Sequence, residues 1–165
     1  MERKDAAHWI SRFKMTTHVE GGSFAEVYRS DLSFEPSAAS GFQGKRNYST
    51  HIYFLLEQNQ FSAFHRILSD ELWHFYEGDP LVIYEISEEG ILTEHLLGNI
   101  DGYNFFTMIR AGSWFASAPA ADGIYSLVGC TVSPGFDFAD FELADRNTLA
   151  AQYPQHKELI SQFTR

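Results

Sequence analysis

The sequence predicts a mainly β fold, a sandwich or closed barrel with short helices at its two ends. About nine short runs of β-branched and aromatic residues, closely spaced and separated by turn signals, favour that architecture over a parallel sheet with crossover helices. Helical periodicity is confined to the first and last segments of the 165-residue chain. The 15 Phe, 8 Tyr and 3 Trp fall mostly in the strand-like runs, where such side chains suit a pleated, half-buried surface and can also line a ligand cavity.

In residues 6–13, Ala6, Trp9, Ile10 and Phe13 recur at helical spacing and Asp5 is placed to cap the first turn. Glu20, Gly21 and Gly22 break this helix, the glycine pair reading as a turn with positive φ, and residues 24–29 read as a strand. Residues 31–47, with Pro36, Ser37, Ser40, Gly41 and Gly44, read as a long exposed loop, the best candidate for a lid or a disordered segment. Strands are expected at 50–56, 61–67, 72–76, 81–86 and 91–96, punctuated by Gln58-Asn59, Ser69-Asp70, Gly78-Asp79-Pro80 and Glu88-Glu89-Gly90. Further strands are expected at 103–109, 114–116, 125–132 and 137–143. Helical character returns at 148–163 through Leu149, Tyr153, Leu159, Ile160 and Phe163, with Pro154 breaking it in two. No repeat or linker divides the chain, so residues 1–165 form one domain with its barrel at about 19–143.

Charge narrows the function. Twelve Lys and Arg against 22 Asp and Glu give a net charge of −10, which opposes nucleic-acid backbones and anionic membrane surfaces. A local basic pocket around Arg29, Arg46 and Arg66 stays open as a phosphate or carboxylate site. The single cysteine, Cys130, has no intrachain partner and sits in the apolar run 127–132, so it reads as a core residue. The charged opening Glu2, Arg3, Lys4, Asp5 is unlike a signal peptide, and no run of about 18 apolar residues exists. The expectation is a soluble, cytoplasmic protein.

The informative stretch is 61–80, FSAFHRILSDELWHFYEGDP. Alternation puts His65 and Ile67 on one strand face, Ser69-Asp70 turns the chain, and Glu71 opens a returning strand that brings a carboxylate beside the histidine. His74, three residues past Glu71, faces the other way unless a bulge turns it. The competing reading is a buried polar network of His65, Glu71 and His74 that fixes register. Phe61, Trp73, Phe75, Trp114 and Phe115 fit core or pocket wall equally. Asp137, Asp140 and Glu142 in PGFDFADFEL read as strand-edge solvation rather than catalysis.

From His65 onward this stretch resembles the first motif of the cupin superfamily, G(X)5HXH(X)3,4E(X)6G, with Ile67 in the place of the second histidine and Glu71 and Gly78 in register. The second cupin motif survives only as a frame around residues 110–115, where Gly112 keeps its place, Arg110 stands for the proline and Phe115 for the histidine. The blocks VEGGSFAEVYRS, FHRILSDELWHFYEGDPL and LVGCTVSPGFDFADFEL look like the cupin-5 family of small cupins of unknown function. The resemblance implies a double-stranded β-helix, or jelly-roll barrel, that forms a homodimer and has no established reaction. The EGGSFAE block is also similar to the RGxFxE block of the dTDP-4-dehydrorhamnose 3,5-epimerase type, with Gly21 where the arginine would be.

Metal-using cupins supply two His and one Glu from the first motif and one His from the second. Of these this chain keeps His65 and Glu71. Two ligands hold a divalent ion weakly, so no cofactor is expected; a three-ligand set would join His74, or else His51, to His65 and Glu71. Without metal, His65 beside Glu71 fits a general base and its orienting carboxylate, with Tyr53 or Tyr76 as the acid, in an epimerase or isomerase. Trp73, His74, Phe115, Glu26 and Arg29 complete the expected pocket for a small polar sugar or carbonyl compound. A non-catalytic binding or sensor module and a metal-dependent oxygenase or lyase are the alternatives. The strand at 24–29 suits pairing with a second copy's sheet edge.

Overall fold

A computed structural model of the chain describes residues 4–165. Met1, Glu2 and Arg3, the start of the charged opening, lie outside the described residues. Helix α1 (Ala6–Phe13) begins where Asp5 accepts a hydrogen bond from the His8 N–H. It ends at Lys14, whose left-handed φ of 52° turns the chain well before Glu20-Gly21-Gly22. Thirteen strands follow: β1 (Thr16–Thr17), β2 (Ser23–Arg29), β3 (Ser33–Phe34), β4 (Arg46–Asn47), β5 (Thr50–Glu57), β6 (Ser62–Arg66), β7 (Asp70–Gly78), β8 (Leu81–Ile86), β9 (Leu92–Leu97), β10 (Phe106–Ile109), β11 (Trp114–Pro119), β12 (Tyr125–Ser133) and β13 (Glu142–Leu143). Helices α2 (Arg146–Gln152) and α3 (Lys157–Gln162) close the chain, separated at Pro154 as the sequence predicts.

The strands form a jelly-roll of two antiparallel sheets. One has the order β1-β2-β5-β12-β7-β10 and the other β13-β6-β11-β8-β9, while β3 and β4 pair separately. From β5 to β8 the chain alternates between the two sheets. The sequence reading that returned Glu71 alongside His65 therefore fails in one respect: the turn at Ser69-Asp70 carries β7 across to the opposite sheet, so the two side chains face each other through the barrel. Between the sheets lies an apolar core that includes Phe54, Leu56, Trp73, Phe75, Ile83, Leu97, Ile109, Phe115 and Cys130.

The outer face of the five-stranded sheet is covered by α2 and α3, whose Leu149, Tyr153, Ile160 and Phe163 pack on Phe64, Ile86 and Trp114. Helix α1 covers one end of the six-stranded sheet, with Trp9, Ile10 and Phe13 against Leu55, Tyr125 and Leu127. Two segments differ from the sequence reading. The 31–47 loop carries the β3–β4 hairpin and is anchored by Arg46, 3% exposed, which makes a bidentate bond to Asp140 at 2.6 Å on both arms. Residues 137–143 are not one strand. Asp137 caps a 3-10 turn at Phe138–Asp140, and Asp140 is drawn inward to Arg46 instead of solvating an edge. Among the described residues no helix is long and apolar enough to cross a membrane.

Candidate functional site

At one end of the barrel the core gives way to a cavity of about 300 Å³. Alternation decides what enters it. On β5 the inward residues Thr50, Ile52 and Phe54 line the cavity, as do Glu71 of β7 and Cys130 and Val132 of β12; His65 and Ile67 face them from the other sheet. Strand β2 adds Phe24, Glu26 and Arg29, and the segments before β2 and after β12 supply His18, Glu20 and the mouth residues Phe136, Asp137 and Phe138.

Glu20 enters the barrel from a turn. Gly21 and Gly22 have φ of 115° and 72°, as the sequence predicts, and a Cβ on Gly21 would collide with the Phe61 carbonyl. The Glu20 carbonyl accepts from Ala63 N–H at 2.8 Å, which stitches the turn to β6 and seats the carboxylate beside His65. Glu20 Oε2 lies 3.2 Å from His65 Nε2 and 3.3 Å from His18 Nδ1, while Ser62 Oγ donates to Oε1 at 2.8 Å. His65 Nδ1 faces the Ala63 carbonyl at 2.8 Å and must carry a proton to bond it. One further proton then belongs between Nε2 and Oε2. Burial favours a neutral Glu20, but the attraction of His65 and the hydrogen bonds from His18 and Ser62 overcome it and hold Glu20 below its ordinary value. Burial also pulls His65 below its ordinary value against the pull of Glu20, so the carboxylate, which keeps the Ser62 bond as well, is the better-supported charge of the pair.

Glu71 has the opposite environment. It is 7% exposed, and burial, reinforced by the negative charge of Glu20, pushes its carboxyl up to about 8, with only the Cys130 thiol acting against them. At neutral pH Glu71 is therefore mainly a protonated acid able to donate a hydrogen bond. Cys130 is itself pushed well above its ordinary value, first by burial and then by Glu71, so it stays a thiol and is no nucleophile.

A family model described as "Cupin superfamily (DUF985)" matches residues 7–144. The chain belongs to this cupin family. A crystal structure of a Shewanella oneidensis protein is 42% identical, with 98% of each chain covered and a TM-score of 0.88. A hypothetical protein from Leishmania major is 35% identical, covering 98% of this cupin and 99% of its own chain, with a TM-score of 0.89. A dTDP sugar isomerase from Desulfovibrio desulfuricans, 16% identical over 81% of this chain and 86% of its own, with a TM-score of 0.53, shares the fold. No curated protein matches the sequence.

Of the residues singled out from the sequence of this cupin, His65, Glu71, Glu26 and Arg29 line the cavity. Tyr53 and Tyr76 do not. They sit on the outer face of the six-stranded sheet, where Tyr53 packs on Phe13 at 4.3 Å and Tyr76, 45% exposed, bonds His51 Nε2 at 3.0 Å. Strict alternation sends them outward, since their neighbours Ile52, Phe54 and Phe75 point in. His74 is outside for the same reason: β7 runs without a bulge from Glu71 to Phe75, and His74 Nε2 bonds Thr131 Oγ1 at 3.2 Å. Trp73 and Phe115 are core residues, each 1% exposed, although the Phe115 ring rests 4.1 Å from His65.

The three arginines are not a free basic pocket. Arg29, Arg46 and Arg66 pair with Glu26, Asp140 and Glu142. The donors present also do not fit the metal of metal-using cupins. Both His65 nitrogens are engaged by protein oxygens, Ile67 and Phe115 fill two ligand positions, His74 points away, and among the described residues no three His, Cys, Asp or Glu groups converge as ligands.

Sequence reasoning missed His18, Glu20 and Ser62. The signal for Glu20 was a carboxylate set directly before a glycine pair inside a family-like block. Those glycines looked like a simple turn, and their role in delivering Glu20 depends on a contact with β6 that no local pattern encodes.

Proposed function

We propose that this cupin binds a small polar carbonyl compound in the barrel cavity and moves a proton on it without a metal, as an epimerase or isomerase does. What supports this reading is that two carboxyls lining one cavity have opposite surroundings: Glu20 is met by His65, His18 and Ser62, which favour its ionised form, whereas Glu71 is buried with only the Cys130 thiol beside it, which favours its protonated form. Environments that drive paired titratable groups apart assign base and acid. His65 has no free nitrogen for a ligand, and its side chain is 3% exposed against 9% for Glu20. Glu20 is thus the base, and His65 and His18 are its positioning residues. Glu20 takes a proton from the carbon next to the carbonyl while Glu71 gives its proton to the carbonyl oxygen, forming an enol; return of a proton to carbon and recovery of the Glu71 proton complete the turnover.

Solvent exchange tests this. In D2O, ketoses incubated with the protein are expected to gain deuterium at the carbon next to the carbonyl, and Glu20→Gln or Glu71→Gln to abolish the gain. Binding with no deuterium gain in the wild type would make the cavity a binding module.

The reading includes a homodimer. Strand β1 covers only Ser23 and Phe24 of β2, and the rest of that edge carries Val27 and Tyr28, 48% and 53% exposed, which favours pairing with a second copy. Light scattering is expected to give about twice the 18.8 kDa chain mass. A mass of one chain that holds as concentration rises overturns this.

A further inference from the structure

Charge at the cavity mouth narrows the ligand. Arg29 is the one arginine or lysine among the residues lining the cavity, and it is spent on protein acceptors. Its Nε and Nη2 donate to the two oxygens of Glu26 at 2.9 and 2.7 Å. Its Nη1 donates to Asn47 Oδ1 at 3.0 Å and to the Phe136 carbonyl at 3.1 Å. A planar guanidinium has five N–H donors, so one is left. Asp137 adds a second negative charge near Arg29, and Glu20 supplies a third deeper in. An anion entering this mouth meets carboxylates whose counter-charge is already matched, and it would have to displace Glu26 to obtain a bidentate contact.

Size and walls point the same way. A cavity of about 300 Å³ is at the lower end of the range for small-molecule sites. Phe24, Phe136 and Phe138 give it apolar walls, while Glu20 and Glu71 give it an acceptor and a donor at depth. We infer that the ligand is an uncharged, hydroxylated carbonyl compound of free-sugar size, and that the Glu26–Arg29 pair excludes its phosphorylated, nucleotide-linked and carboxylate counterparts. This inference rests on the proton-transfer reading for the carbonyl and on the mouth residues for the absence of charge.

The test is calorimetric titration with matched pairs, D-fructose with D-fructose 6-phosphate and D-xylulose with D-xylulose 5-phosphate, together with dTDP and inorganic phosphate. At least one neutral ketose is expected to bind, with its phosphate about tenfold weaker or worse, since like-charge juxtaposition is a device of specificity. Glu26→Gln removes the carboxylate charge and frees one of the two Arg29 donors it holds, the amide oxygen still accepting the other. It is expected to tighten inorganic phosphate by about tenfold, as charge-assisted bonds to Arg replace the lost pair. Tighter binding of either sugar phosphate or of dTDP than of the neutral ketoses overturns the inference, as does failure of both ketoses to bind or an unchanged phosphate affinity in Glu26→Gln. Deuterium exchange on the same compounds separates the two claims. A neutral ketose that binds and keeps its C–H sinks proton transfer alone, while exchange on a tightly bound sugar phosphate sinks the uncharged ligand alone.

Discussion

Two histidine–glutamate clusters lie between the sheets of this barrel among the described residues, one centred on Glu20 and one on Glu85, and they differ in what surrounds them. At the seam between β8, β9 and β10, His95 Nε2 meets Glu85 Oε2 at 2.7 Å, and Thr107 Oγ1 meets His95 Nδ1 at 2.8 Å. Both ring nitrogens are used, the Arg110 N–H approaches the other Glu85 oxygen at 3.4 Å, and the network ties the edges of the two sheets together. In the cavity, His65 and Glu20 are just as well matched, yet Glu71 lines the same space as a buried acid whose one side-chain partner among the described residues is the weak Cys130 thiol. A histidine beside a carboxylate is therefore no mark of chemistry in itself. The second acid, buried beside only a thiol, is what distinguishes the cavity from the seam.

The largest effect that tests this contrast is His65→Ala. It leaves the Glu20 charge buried without its main partner and is expected to cost about 3–5 kcal/mol by urea denaturation, as breaking one side of a buried pair does. Glu71→Gln is expected to act with the opposite sign. The folded protein keeps a proton on Glu71 up to about pH 8, against an ordinary value of 4.5, whereas the unfolded chain releases it from about pH 4.5 upward. Wild-type stability therefore falls as pH rises through that window, and the variant, which has nothing to ionise, gains on wild type by about 3 kcal/mol at pH 7. Urea midpoints measured from pH 4 to pH 9 check both sign and window; parallel profiles for the two proteins would put Glu71 at an ordinary value.

At the seam, Glu85→Gln is expected to cost about 1–3 kcal/mol, because it weakens a charged acceptor for His95, and to leave ligand titrations unchanged. Thr107→Val, at about 1 kcal/mol, is smaller still. Altered ketose binding in either seam variant would mean that the two networks are coupled through the barrel.

Much of the fold was legible because it is written in local patterns. The 6–13 helix, the Pro154 break and most strands follow from periodicity and turn residues. Residues 137–143 were misread because PGFDFADFEL has strand composition, while Asp137 caps a turn and Asp140 answers to Arg46, 94 positions away in sequence. The site was half legible. His65 and Glu71 stand out in a short motif, but the motif does not say that they belong to opposite sheets. Alternation already turned His74 away from Glu71, and the structure follows it. The proximity in sequence that suggests Tyr53 and Tyr76 as acids carries no information about the face they occupy, and both lie outside the cavity. Glu20 was illegible because its place is fixed by a backbone bond to Ala63 rather than by any spacing.

His65 and Glu71 are six residues apart in the chain and yet belong to different sheets, which gives the cavity a bearing on the order of folding. Neither sheet contains the site alone, and Glu20 and Cys130 must arrive from the two ends of the barrel sequence before it is complete. Non-local pairings of this kind pay their loop-closure entropy before they are rewarded. A partly folded chain with one sheet formed would have native strands and no cavity, so ligand binding followed in real time during refolding reports the closure of the barrel rather than the formation of its strands.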